Sequence, residues 1–155
     1  MRPEGKAIES TRGERVQIRS FESFRVGERA TFTKTVTEAD VVLMAGISGD
    51  LNPLHLDEDY GRRTRFKGRV AHGVLTVSFV SAANTLLTGP GFVYLGQELK
   101  FLAPVRIGDT VTAASEIAEV QPDKQILRVR TIVRNQHGEQ VADGMGGLKK
   151  MTELV

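Results

Sequence analysis

The apolar segment from Val74 to Leu87 constrains the fold more than any other part of this sequence. Its apolar residues cover most of the circumference of a helix, so we expect a helix that is buried almost all round. The segment is shorter than the ~20 apolar residues of a membrane-spanning helix, and the polar residues Ser78, Ser81 and Asn84 interrupt it. The pattern therefore predicts a central core helix and no membrane span.

Four strand-like segments follow this helix, and turn-forming residues separate them. In the third segment, apolar residues alternate with arginines, which is typical of an antiparallel sheet with one face in water. The predicted strands cover residues 92–102, 110–120, 125–134 and 141–151.

The N-terminal half predicts one further strand and two short helices. Residues 29–36 are rich in β-branched and aromatic side chains, and residues 37–40 have the composition of a capping box that starts a helix ending near Ala45. The Gly- and Pro-containing segment 46–55 predicts a loop, and residues 57–62 a second short helix or turn. Together these elements predict an α+β domain in which a curved antiparallel sheet wraps a buried helix.

The length of 155 residues allows one sizeable core, and we do not expect a second. Residues 1–20 are polar, which predicts a poorly ordered leader before a single domain over residues 21–155. The absence of cysteine and of an apolar secretory segment favours the cytoplasm. Because the chain has 21 basic and 19 acidic residues, the overall charge gives no reason to expect a nucleic-acid partner.

One local concentration of charge precedes the central helix. It would attract the phosphate groups of a nucleic acid or of a nucleotide-containing cofactor, or it is a solvated basic loop. Its residues are Arg62, Arg63, Arg65, Lys67 and Arg69.

A carboxylate and an imidazole, Asp50 and His55, lie in one short turn whose flexibility Pro53 limits. Such a pair can exchange protons with one bound water, as general acid–base catalysis requires. The alternative is structural, because Asp and Asn cap turns and a histidine in such a loop often makes an ordinary polar contact. The spacing does not fit an EF-hand loop, a zinc protease motif or a Gly-x-Ser-x-Gly nucleophile elbow.

His72 and Gly73 directly precede the central helix. Backbone N–H groups at a helix N-terminus lack intrahelical acceptors and lie at the positive end of the helix dipole, so they can stabilise a developing oxyanion. Gly73 has no side chain to block the approach of a thioester carbonyl. The alternative is a glycine that serves tight packing.

These segments together resemble the (R)-specific enoyl-CoA hydratases of the MaoC-like dehydratase family, which have the hotdog fold. The resemblance extends from about Phe21 to the C-terminus, although Leu43 and Met44 replace a common aromatic and Gly61 replaces a small Ala or Ser. The motifs that carry it, in the family's order, are Gly49-Asp50-Leu51-Asn52-Pro53-Leu54-His55, His72-Gly73, Ser81 within the central helix, Tyr94-Leu95-Gly96-Gln97 and Pro104-Val105-Arg106-Ile107-Gly108-Asp109.

The resemblance implies that Asp50 and His55 hold one water, whose oxygen adds to Cβ of a trans-2-enoyl-CoA while Cα gains a proton on the same face. The product would be an (R)-3-hydroxyacyl-CoA. The amide of Gly73 would stabilise the thioester oxygen, while Asn52 would shape the loop and Ser81 would support the Asp50 side. No metal or redox cofactor is implied, since coenzyme A is part of the substrate.

The resemblance also implies a supporting role for His72 and a homodimer whose sheets join edge to edge, with active sites near the subunit boundary. Arg62, Arg63, Arg65 and Lys67 become candidate contacts of the CoA phosphates. Two alternatives remain on the same fold, an acyl-CoA thioesterase and a non-catalytic acyl-CoA-binding module. Acyl chain length, direction and pathway stay open among polyhydroxyalkanoate supply, fatty-acid metabolism and carbon assimilation.

Overall fold

A computed structural model describes residues 7–9 and 15–151 of the chain. Its strands are β1 Ala7–Glu9, β2 Arg15–Gln17, β3 Arg29–Thr35, β4 Phe92–Phe101, β5 Thr110–Gln121, β6 Ile126–Arg134 and β7 Gln140–Lys150. The main element is a five-stranded antiparallel sheet with the strand order β3-β5-β6-β7-β4, and a separate small sheet pairs β1 with β2. The α-helices are α1 Glu38–Ser48, α2 Pro53–Leu56, α3 Glu58–Arg63 and α4 Gly73–Thr88.

The predicted α+β architecture is confirmed, because the single sheet packs around one long helix. All four C-terminal strands lie within two residues of their predicted bounds. In β6 the alternation is complete: the side chains at 127, 129, 131 and 133 are buried, and those at 128, 130 and 134 are exposed.

The central helix α4 is buried on one face only, which corrects the prediction of burial all round. Its buried residues repeat in adjacent pairs every four positions, so they form one stripe facing β3 and β5. The opposite face carries exposed apolar side chains, with Val74 52% and Leu86 61% exposed. The apolar residues around the circumference of α4 therefore do not mean that every face of this helix packs against other elements.

A polar layer divides the core into two apolar clusters. On β5, Ser115 lies between Ala113 of one cluster and Ile117 of the other, and its hydroxyl donates a hydrogen bond of 2.6 Å to Asn84 Oδ1 on α4. On β6, buried Thr131 accepts a 2.8 Å hydrogen bond from the amide of Gln97. These hydrogen bonds satisfy Asn84 Oδ1 and the hydroxyls of Ser115 and Thr131, whereas Asn84 Nδ2 has no partner among the described residues.

Helix α1 starts where the capping box predicts but continues past its predicted end. The Thr37 hydroxyl accepts from the Asp40 N–H, and the Asp40 carboxylate accepts from the Thr37 N–H. The helix then runs through Gly46 to Ser48 instead of ending near Ala45, and Gly49 terminates it with a left-handed φ of 74°. Of the predicted loop 46–55, residues 46–48 are therefore helical in α1 and residues 53–55 are helical in α2.

The predicted leader, residues 1–20, falls partly outside the described residues. Positions 1–6 and 10–14 belong to that part, so the poor order of the leader stays a prediction. Within the part of the chain that the structure describes, no helix is long and apolar enough to cross a membrane.

Candidate active site

Asp50 and His55 lie on either side of the turn between α1 and α2. Asp50 follows Gly49, the residue that caps the C-terminus of α1, and His55 lies in the single turn of α2. Their facing atoms, Asp50 Oδ2 and His55 Nε2, are 3.9 Å apart, too far for a direct hydrogen bond. The Asp50 side chain is 48% exposed and that of His55 is 11% exposed, so the pair lies at the boundary between solvent and core.

The orientation of the His55 ring follows from its other nitrogen. Nδ1 lies 2.7 Å from the carbonyl oxygen of Val70. Because a carbonyl oxygen only accepts hydrogen bonds, Nδ1 carries the hydrogen and donates it. In the neutral ring Nε2 then has the free lone pair, and it faces Asp50. No sequence pattern indicated Val70, because its contribution is a backbone group.

Asn52 shapes the turn that carries the carboxylate. Its side-chain oxygen accepts from the N–H of Leu54 at 3.0 Å, which caps α2. Its own N–H donates to Asp50 Oδ1 at 3.2 Å. One carboxylate oxygen of Asp50 is thus held by the loop, while the other faces His55.

His72 contacts both members of the pair. Its Nε2–H donates to the backbone carbonyl of Asp50 at 3.0 Å, and its ring stacks on that of His55 with a centroid separation of 3.9 Å. The His72 side chain is almost fully buried, since the residue is 1% exposed. It therefore fixes the backbone of the carboxylate residue and covers one face of the imidazole.

The same three side chains, those of Asp50, His55 and His72, bring possible metal-ligand atoms within 4.8 Å of one another. A shared ion would have to lie about 2.0–2.1 Å from each ligating nitrogen, in the plane of its ring. The two rings are stacked at an interplanar angle of 30°. His55 Nδ1 and His72 Nε2 already bond the backbone carbonyls of Val70 and Asp50, so each ring has one nitrogen left for an ion.

Gly73 is the first residue of α4, where its N–H is free of the helical ladder. It lines a cavity of about 270 Å³ together with Val70, Thr76, Phe101 and Arg65. A Cβ atom at position 73 would lie 2.8 Å from the Phe101 ring. Tight packing against Phe101 therefore favours glycine at this position, independently of any role of the amide.

The predicted phosphate contacts separate into different environments. Arg65 lines the cavity that Gly73 shares. Arg62 forms ion pairs with Glu58 and Asp59 on α3, and the Arg63 guanidinium lies 5.9 Å from the centre of the Tyr60 ring. Lys67 stands exposed in the following turn with a positive φ of 58°.

Ser81 lies apart from this cluster. It is exposed on α4, about 12 Å along the helix axis from Gly73 at the usual rise per residue. Among the residues that the structure describes, no hydrogen bond joins Ser81 to Asp50. Asn52 bonds the carboxylate of Asp50 and His72 bonds its backbone carbonyl, and a supporting role of Ser81 stays a prediction.

Comparison with known proteins identifies the family of this arrangement. Residues 23–139 match the family described as MaoC like domain. The chain belongs to the MaoC-like domain family. Among curated members, an (R)-specific enoyl-CoA hydratase from Rhodospirillum rubrum is 49% identical over 112 residues, which are 72% of this chain and 78% of the relative. A 3-hydroxybutyryl-CoA dehydratase from Methylorubrum extorquens is 44% identical over 115 residues, 74% of this chain and 73% of the relative.

Solved structures of MaoC-like proteins confirm the predicted hotdog architecture. The (R)-hydratase from A. caviae involved in PHA biosynthesis superposes with a TM-score of 0.80 at 37% identity, covering 83% of this chain and 98% of that one. The unliganded R-hydratase PhaJ1 from Pseudomonas aeruginosa gives a TM-score of 0.79 at 42% identity, covering 86% of both chains.

Proposed function

We propose that this MaoC-like protein hydrates trans-2-enoyl-CoA to (R)-3-hydroxyacyl-CoA and catalyses the reverse dehydration. The observation that carries the proposal is the gap between Asp50 and His55. A water about 2.8 Å from both Asp50 Oδ2 and His55 Nε2 would span their 3.9 Å separation with an angle of roughly 90° at its oxygen. That angle suits a water that donates one hydrogen to each acceptor.

A water held in this way is prepared for nucleophilic attack. An ionised carboxylate and the lone pair of Nε2 both accept, so both water hydrogens point into the pair and a lone pair of the oxygen points away. As the oxygen bonds to Cβ, one water proton passes to the pair and one proton passes from the pair to Cα. Atoms and charge balance, because the pair ends with the protons it began with.

The amide of Gly73 is the proposed stabiliser of the thioester oxygen. Negative charge grows on that oxygen as Cβ is attacked, and an N–H at the start of α4 offers a preorganised donor at the positive end of the helix dipole. The cavity that Gly73 lines provides room for the thioester beside this amide.

Coenzyme A would reach the cavity past the basic loop. Arg65 is the first candidate for a phosphate contact, because it lines the same cavity as Gly73. Arg62, Arg63 and Lys67 lie on the exposed approach and would add attraction at longer range.

A homodimer joined along the edge strand β4 is part of the proposal. This strand ends the sheet and carries exposed apolar side chains on or beside it, with Leu95 53%, Phe101 55% and Leu102 54% exposed. Pairing with a second copy would cover the open edge and these side chains. Sedimentation equilibrium should then give twice the 17.0 kDa mass of the chain.

The decisive experiment supplies crotonyl-CoA to the purified protein. Hydration removes the absorbance of the conjugated enoyl thioester and leaves the thioester intact, and chiral analysis of the product should give the (R) isomer. Release of free CoA thiol would instead identify a thioesterase. Binding without turnover would identify an acyl-CoA-binding module, and either result overturns the proposal.

A further inference from the structure

Two consecutive residues, Arg69 and Val70, hold His55 at both ends. The Val70 carbonyl accepts from the ring at Nδ1, and the Arg69 side chain donates from Nε to the backbone carbonyl of His55 at 2.7 Å. A further hydrogen bond runs from the Val70 N–H to the Leu54 carbonyl at 3.3 Å. The segment 69–70 thus fixes the backbone of the imidazole residue as well as the direction of its ring.

The hydrogen bond from Arg69 stabilises the last turn of helix α2. This helix has 4 residues, which is one turn, and a helix so short has little stability of its own. Carbonyls in the last turn of a helix lack intrahelical donors, and a basic side chain can satisfy them. Arg69 does so for His55.

The far edge of the Arg69 guanidinium is held by α1. Its two terminal nitrogens donate to the two carboxylate oxygens of Glu38 at 2.8 and 3.0 Å, in the fork geometry that only arginine offers. This hydrogen bonding from Arg69 lowers the pKa of Glu38 below its ordinary value, because it stabilises the ionised carboxylate. The start of α1 is thereby connected through one side chain to α2.

We propose that Arg69 is a positioning residue for His55 and takes no part in binding the CoA phosphates, although the sequence places it in the basic stretch. The inference rests on the proposed hydratase function. Its side chain is 16% exposed, against 66% for Arg62, and three of its five N–H groups are committed to His55 and Glu38. An arginine held in this way acts on the orientation of the imidazole.

Steady-state kinetics separates the two roles. In Arg69→Met we expect kcat for crotonyl-CoA to fall about ten- to hundredfold with KM changed less than about threefold, because misplacing a reacting group costs turnover. Arg69→Lys should recover only part of the loss, since one ammonium cannot reach His55 and hold both Glu38 oxygens. Glu38→Gln keeps Arg69 and should lose less, about threefold.

The matched control is Arg130→Met, which removes an ion-paired arginine from the outer face of β6. Arg130 bonds Asp143 at 3.1 Å and is 55% exposed. We expect wild-type kinetics from this variant. An equal fall of kcat in Arg69→Met and Arg130→Met overturns the proposal, and so does a rise of KM with unchanged kcat in Arg69→Met.

A second measurement does not depend on the reaction. At a pH where the imidazoles are neutral, nitrogen-15 NMR should show His55 in the wild type and in Arg130→Met as the Nδ1–H tautomer alone. In Arg69→Met and Arg69→Lys we expect a mixture of tautomers, and an unchanged wild-type pattern in both overturns the positioning role. If the wild type lacks hydratase activity, the proposed function fails, and the tautomer ratio still decides the role of Arg69.

Discussion

Replacing Gly61 with alanine tests the close packing that places the loop after α3 beside His55. A Cβ atom at this position would lie 2.6 Å from the carbonyl carbon of Gly68, 2.7 Å from the amide nitrogen of Arg69 and 2.8 Å from the Gly68 oxygen. All three are backbone atoms, so no side chain can rotate away. The backbone at 68–69 and α3 must move apart to admit the methyl group.

The expected cost follows from two opposing effects. Overpacking of this kind costs about 1–3 kcal/mol, and the better helix propensity of alanine returns up to about 1 kcal/mol. We expect a net loss of about 1–2 kcal/mol in the free energy of unfolding, and a fall in Tm of about 3–6 °C for a chain of this size. Because Arg69 and Val70 follow Gly68, kcat for crotonyl-CoA should also fall, about three- to tenfold.

Gly46→Ala is the matched control for this substitution. Gly46 also lies in a helix, and apart from its chain neighbours and the backbone of its own helix no described atom comes within 4 Å of the position a Cβ would take. There the gain in propensity is unopposed, so Tm should rise by about 1–3 °C with kcat unchanged. Calorimetry and the crotonyl-CoA assay measure both effects. A Tm of Gly61→Ala at or above that of the wild type would refute the reasoning.

Four further outcomes are expected. Asp50→Asn and His55→Gln should each cut kcat by about two orders of magnitude or more, and near-normal turnover in either would remove the Asp/His mechanism. Gly73→Pro deletes an N–H at a position where proline suits a helix, so kcat should fall by about 10²- to 10³-fold. Circular dichroism checks the fold, because the proline ring also approaches Phe101. Normal turnover in a well-folded variant would exclude the Gly73 amide as the stabiliser of the thioester oxygen. Arg65→Ser should raise KM for crotonyl-CoA while leaving KM for the phosphate-free thioester of N-acetylcysteamine unchanged, and an equal rise for both thioesters would exclude a phosphate contact. The stability that ionised Glu38 contributes is fully present above the ordinary glutamate pKa of 4.5 and should be lost as pH falls through the lowered pKa of the folded state. The difference in Tm between wild type and Glu38→Gln should therefore shrink below pH 4.5. A difference that stays constant with pH would count against the ion pair.

Elements with a local physical cause were predictable from the sequence. The alternation in β6 sets one face inward, and the Thr37–Asp40 capping box starts α1 through contacts between neighbouring residues. The proximity of Asp50 and His55 was also predictable, because the two residues lie in one short turn whose flexibility Pro53 limits.

What the sequence did not reveal depends on the rest of the fold. A helix tolerates an interior glycine at a cost of about 1 kcal/mol, so α1 continues through Gly46 once tertiary contacts stabilise it. In the sequence, Arg69 cannot be distinguished from the exposed basic residues near it. Its role depends on Glu38 and the His55 carbonyl, which only the fold places beside it. The Val70 carbonyl carries no side-chain signal at all.

The polar layer of the core fixes how far α4 can slide along the sheet. A shift by one helical turn, about 5.4 Å, would carry Asn84 Oδ1 away from Ser115 and leave both buried groups without this hydrogen bond. Only one placement of the helix keeps this hydrogen bond, and that placement also sets where the first turn of α4 ends up. The buried hydrogen bond between Ser115 and Asn84 thereby fixes the position of the Gly73 amide at the surface cavity.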